Sequence, residues 1–324
     1  MSARGLILAF IFCFGLMVPV FAQFKDGEEQ GAKLGDEKVQ RWRAGMIITA
    51  TGGACKGITG YAPIPIEWPE QQVSIVKEEI SPEAKVDYKV IDGTVKIMTV
   101  KIPNLGSGEE AKALVTLEIR RRKILPPENT DIYVLPDPKK LAREVLSYLA
   151  PSPKIESRDA KIRSQSKEII AEKDKAWDKV EAIYDYVREH VKYKEGAPLR
   201  GAIAAMKDGT GDCEDMTSLF IALCRAANVP SRTVWVPGHC YPEFYLVDDK
   251  GEGHWFPCQA AGTREFGGII EERPILQKGD NFKPLMGKGD RQRYLAEFLT
   301  GTPTENGGKP RVKFVRELLN AEDK

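Results

Sequence analysis

The sequence predicts an α+β chain in two folded parts: a small antiparallel, sandwich-like β domain over residues 45–125, then a mixed helical and hairpin domain over 139–270. Three observations predict it. Between Met46 and Leu125, apolar residues alternate at period two, as in Val95/Ile97 and Val115/Leu117/Ile119, and clusters such as IDGT and PNLGSG punctuate the runs. Beyond the four prolines of Leu125–Pro138 the apolar spacing turns helical. From Gly209 onward the order is a loop, a cysteine opening a helix, and two strands, the first opened by a histidine.

Each part follows from the residues in turn. Residues 1–22 read as a signal peptide: Arg4, an apolar run from Leu6 to Phe21, and small residues in Val20-Phe21-Ala22 at the cleavage position. An uncleaved membrane anchor is the alternative, although the run is short of the roughly 20 residues that span a bilayer. Export to the periplasm or the outside follows, with no membrane span once the signal is removed. Residues 23–44 are charged and read as a mobile leader. MIITAT and VSIVKE add strands to the β domain, in which nothing reads as catalytic. Arg120-Arg121-Arg122-Lys123 reads as a solvated strand end. With 48 basic and 47 acidic residues, no net field points to nucleic acid or anionic membrane. Residues 126–138 form a proline-stiffened linker. Leu141, Val145, Leu146 and Leu149 make a short amphipathic stripe, and Trp177, Val180, Ile183, Tyr184, Val187 and Val191 line one face of a longer helix over 172–193. Residues 271–324 form an extension with turns, a possible strand and short helices, packed on the preceding domain or frayed.

The segment GDCEDMTSLFIALCRAANVP places Cys213 in the first turn of a helix whose buried stripe is Met216, Leu219, Phe220, Leu223 and Ala227. A helix N-terminus, with unpaired N–H groups and the positive end of the dipole, favours thiolate over thiol. The same N–H groups can receive an oxyanion. Asp212, Glu214 and Asp215 read as first-turn helix charges and not as a calcium loop, which needs alternating ligands on a turning backbone. Taken together, GDCEDMTSLFIALCRAANVPSRTV, then Gly238-His239 with Glu243 four residues on, then WFPCQ, resemble the transglutaminase-like superfamily of papain-like thiol enzymes over roughly residues 172–262. The resemblance implies a papain-like α+β catalytic domain and acyl transfer through a cysteine. It implies either a peptide or amide hydrolase or a protein-glutamine acyltransferase, acting on a peptide or protein substrate.

That chemistry needs three roles. Cys213 attacks as thiolate; His239 takes the thiol proton and later protonates the leaving amine. A third residue accepts the other ring N–H and fixes the tautomer. The family usually has Asp at the position four after the tryptophan of the neighbouring strand; here that position, after Trp255, is Gln259. Its amide oxygen can accept the same bond but adds no negative charge, so full activity is in question. A turn centred near Asp249 sets His239 opposite Gln259, with His239, Tyr241 and Glu243 on one face and Cys240, Phe244 and Leu246 on the other.

Signal removal leaves five cysteines, Cys55, Cys213, Cys224, Cys240 and Cys258, an odd number that suits one free nucleophile. The same register faces Cys240 with Cys258, leaving open a cross-strand disulfide or two small core thiols. No metal, nucleotide or flavin motif occurs, so no cofactor is expected. Two readings of function stand: an exported thiol enzyme with hydrolysis favoured, or a weakened transglutaminase-like domain serving as a binding or scaffold module.

Overall fold

The computed structural model describes residues 31–304 and 308–319. The signal peptide, leader residues 23–30 and the last residues of the chain lie outside them. The first part holds β1 (Lys33–Thr49), β2 (Cys55–Ile64), β3 (Gln71–Ile80), β4 (Lys85–Ile91), β5 (Val95–Leu105) and β6 (Glu110–Leu125). The second holds α1 (Arg143–Leu146), α2 (Ala160–Ile170), α3 (Ala176–His190), β7 (Lys192–Tyr193), α4 (Ala202–Asp208), β8 (Thr210–Gly211), α5 (Cys213–Ala226), β9 (Ser231–Val236), β10 (His239–Val247) and β11 (Gly253–Pro257). The chain ends with β12 (Gln277–Lys278), β13 (Phe298–Pro303) and β14 (Arg311–Leu318).

The α+β class is as expected, and the N-terminal part is antiparallel throughout. One sheet runs β14-β1-β6-β3. The other runs β11-β10-β9-β12-β5-β2-β13, with β4 beside β5. Alternate residues of both sheets, among them Met46, Ile48, Met98, Val100, Val115 and Leu117, fill the core between them. Period two on these strands therefore has its physical cause in one buried face each.

Three segments depart from expectation. Residues 33–44, read as mobile leader, are strand: β1 pairs with β6 and then with β14, and it keeps charged residues outward while Trp42, Ala44 and Met46 turn in. Among its described residues the extension forms strands and no helix: β13 joins β2, β14 joins β1, and β12 bridges β5 to β9, so this part of the chain returns to the first domain. Hydrogen bonds to a distant sheet edge outweigh the weak local preferences of these segments. The stripe at 141–149 shrinks to the four-residue α1 and one 3₁₀ turn, neither with a buried residue. The expected linker is fastened as well: Val134 exchanges both backbone hydrogen bonds with Val247, and Tyr133 is buried among Trp177 and Phe256.

Arg121 overturns the reading of the basic run as solvated. It is buried, bonds the carbonyls of Glu70 and Arg122, and donates to the Tyr241 hydroxyl on β10 at 3.2 Å. A guanidinium with five fixed donors suits such a joint between the two parts.

Candidate functional site

α5 starts where Asp212, in extended conformation, caps the N–H groups of Glu214 (2.9 Å) and Asp215 (3.1 Å). Cys213 is thus the first helical residue, and its own N–H is the first-turn amide the cap does not use. Asp215 is a first-turn helix charge as expected, and a fully buried one. It accepts the N–H groups of Arg200 and Gly201, at 2.9 and 2.8 Å, tying that loop beneath the nucleophile. Gly211 is required beside it, because a Cβ there would stand 2.5 Å from the Asp215 Cβ. At its far end the helix stops at Asn228, whose φ of +62° is left-handed, and the Val229 N–H closes back on Cys224.

β9 and β10 are joined at Pro237-Gly238, with Gly238 at a φ of +70°, so His239 opens β10 next to the start of α5. Its Nε2 lies 2.8 Å from Gln259 Oε1, and the ring also bonds the Cys213 sulfur, which leaves Nδ1 as the nitrogen facing the thiol. The structure thus brings Cys213, His239 and Gln259 together. The β10–β11 ladder runs Glu243↔Pro257 and Tyr245↔Trp255, centred on Lys250 rather than Asp249. A two-residue offset keeps every side chain on its expected face but removes the Cys240↔Cys258 pairing. Both thiols are free: Cys240 lies against Thr217 on α5, and Cys258 is in the core near Cys224.

Gln259 is held through its backbone. Its N–H donates to the Glu265 carbonyl at 2.8 Å; its carbonyl accepts from the Tyr184 hydroxyl at 2.9 Å and from Arg188 at 3.0 Å. The Tyr184 hydroxyl in turn accepts the Glu265 N–H. Periodicity read Tyr184 only as core, and its ring is core. Its hydroxyl, which no local pattern distinguishes, anchors the third residue. Arg273 was also missed. It grips Glu271 through two nitrogens and donates to the Pro237 carbonyl at 3.1 Å, bracing the turn ahead of His239.

The electrostatics separate the cysteines. The hydrogen bond from the Cys240 thiol, aided by the bond and positive charge of His239 and by the Cys240 N–H, overcomes burial and brings Cys213 down to about 4. Burial alone pulls His239 down, but its bonds to Cys213 and Gln259 and the thiolate charge outweigh this and hold it above its ordinary value. Cys224, three turns along the same helix, is pushed far up by complete burial. Both shifts favour a thiolate–imidazolium pair over the neutral thiol and imidazole. One possible metal-binding cluster occurs among the described residues, Asp248, Glu252 and His254 at the far end of the hairpin, with ligand atoms within 4.8 Å of one another. Asp248 already takes the N–H groups of Lys250 and Glu252 on one oxygen and His254 Nε2 on the other.

Residues 163–260 match the transglutaminase-like superfamily. No curated protein matches the chain. Among solved structures, a candidate cysteine protease from Cytophaga hutchinsonii superposes with a TM-score of 0.58 at 17% identity, covering 88% of this chain and 93% of its own, and so shares the fold. The periplasmic domain of TgpA from Pseudomonas aeruginosa, at 12% identity over 74% of this chain and 75% of its own, superposes with a TM-score of 0.37.

Proposed function

We propose, from the match of residues 163–260 to the transglutaminase-like superfamily, an exported thiol enzyme that cleaves peptide or amide bonds through an acyl-enzyme on Cys213. The observation that carries the reading is the chain of contacts from the Cys213 sulfur through the His239 ring to Gln259 Oε1. In the first step the thiolate forms a bond to the substrate carbonyl carbon, and the carbonyl electron pair moves to oxygen. The Cys213 N–H receives that oxyanion. His239 passes its Nδ1 proton to the leaving amine as the C–N bond breaks, which leaves a thioester and neutral imidazole. The imidazole then deprotonates water, the hydroxide attacks the thioester, and the thiolate departs. Gln259 accepts Nε2–H throughout and keeps the ring in register.

Water is the favoured acceptor, since nothing beside Cys213 selects a lysine amine. Export rests on the signal-like residues 1–22; among the described residues no helix is long and apolar enough to cross a membrane. The neutral Gln259 favours a second reading, a binding module that keeps the fold without turnover. A panel of peptide p-nitroanilides, with and without hydroxylamine, separates the possibilities. Nitroaniline release that disappears in Cys213→Ala supports the enzyme, and the share of hydroxamate reports how readily an amine competes with water. Release that survives Cys213→Ala would remove Cys213 from the mechanism. No release from any member, with a partner retained by Cys213→Ala, would establish the module.

A further inference from the structure

The cysteine that follows the histidine has no role in the scheme above, yet it is a hydrogen-bonding neighbour of the nucleophile. Cys240 is the second residue of β10, 1% exposed, with its side chain turned toward α5. Its Sγ lies 3.7 Å from the hydroxyl of Thr217, which sits one turn below Cys213. From that position both its thiol and its backbone N–H bond the Cys213 sulfur. The thiol has two acceptors within reach, a neutral hydroxyl and a sulfur that can carry charge.

We propose that Cys240 is a positioning residue of the active site, whose S–H donates to the Cys213 thiolate and holds it ionised before substrate arrives. This rests on the reading of Cys213 as nucleophile. Two thiols in contact titrate as a pair: the first ionisation is eased because the remaining proton is shared, and the second is suppressed. Burial decides which sulfur carries the charge. Cys240 is enclosed by strand and helix and would hold an anion without solvent, and its thiol is pushed well above the ordinary range. Cys213 is only half-buried and stands at a helix N-terminus that stabilises negative charge. Cys240 therefore stays protonated at any working pH and acts as a fixed donor. When Cys213 is protonated, the Cys240 S–H has Thr217 Oγ1 as its acceptor; when Cys213 ionises, a rotation of one torsion delivers it to the thiolate. Such charge-assisted bonds are about twice as strong as neutral ones.

The test is the rate of iodoacetamide alkylation at Cys213 against pH, followed by peptide mass spectrometry under a phosphine reductant. It is run on wild type, Cys240→Ala, Cys240→Ser and Thr217→Val. At pH 5 wild type reacts near its plateau rate, Cys240→Ala is slower by about tenfold or more, and Cys240→Ser, which keeps a donor, recovers most of the loss. Near pH 9 all three converge, because the thiol is ionised without help. A cysteine that merely filled space would be replaced equally well by alanine and would leave the pH 5 rate unmoved; that result would overturn the proposal. Thr217→Val guards against an alanine variant that does not fold. It leaves the Cys240 donor only the thiolate, so the pH 5 rate holds or rises, and a tenfold fall there would equally count against Cys240. A wild type that already reacts like a free thiol would instead overturn the reading of Cys213 itself.

Discussion

Strand β10 has two polar stations four residues apart on one face, and they do opposite things. His239, at the open end, is half-buried between Cys213 and Gln259, and its charge can come and go with the proton it carries. Glu243, further in, is 1% exposed and meets Lys278 Nζ at 2.6 Å and Arg232 at 2.9 Å, while the same Lys278, itself fully buried, reaches Glu70 at 2.7 Å. Trp255 and Trp68 close over the cations, with the Arg232 guanidinium 4.1 Å from the Trp255 ring and Lys278 Nζ 4.7 Å from that of Trp68. The inner station joins Glu70, ahead of β3, to β12 and β10, and so couples the first β domain to the hairpin that carries His239. One strand thus carries the proposed catalytic base at its mouth and a fixed weld at its middle. Solvent access separates them: a group that must exchange protons needs water nearby, whereas an ionic joint needs it excluded and every charge met.

Crossing the two stations tests the contrast. His239→Ala removes the base and the ion-pair partner of Cys213, so turnover falls by about a thousandfold, while the urea midpoint stays where it was. Lys278→Met does the reverse. It strands Glu70 without its cation, at a cost of about 3–5 kcal/mol in unfolding free energy, while the molecules that remain folded keep the Cys213 alkylation profile of wild type. If Lys278→Met instead silenced Cys213 with stability intact, the weld would belong to the chemistry and the comparison would collapse.

Legibility follows the same divide. The α5 stripe, Cys213 at its head and the hairpin faces were readable because each rests on local spacing: 3.6 for the helix, 2 for the strands. The faces survived a misplaced turn because the offset was two residues. The weld was not readable. Glu70, Arg121, Arg232, Glu243 and Lys278 look like the other charged residues of a chain rich in them, and their meaning comes from partners up to 208 positions away. The same holds for the Tyr184 hydroxyl on Gln259 and for Arg273 beneath Pro237. The strand at 33–44 escaped notice for a related reason, and that at 311–318 was legible only as a possible strand, since strands with one solvated face resemble charged leader or tail until their partners are known.

Gln259 stands between the two stations in kind, because it touches the chemistry yet carries no charge, and it gives the finest test of what separates them. Gln259→Glu is isosteric, keeps the 2.8 Å reach to Nε2, and adds the carboxylate that the amide lacks. A negative charge in contact with the ring favours imidazolium over imidazole, so the His239 pKa, already above its ordinary value, rises further. The thiolate–imidazolium pair exists between the Cys213 pKa, near 4, and that of His239. The substitution therefore moves the alkaline limb of kcat/KM upward, by about one pH unit for an added interaction of about 1.4 kcal/mol. The acid limb, governed by a sulfur that does not touch Gln259, stays in place. Movement of the alkaline limb alone would show that the third residue acts on the ring by charge as well as by orientation. An unmoved profile would mean that Nε2 needs only an acceptor, and that a neutral amide, held by its backbone from α3, already does all that this position requires.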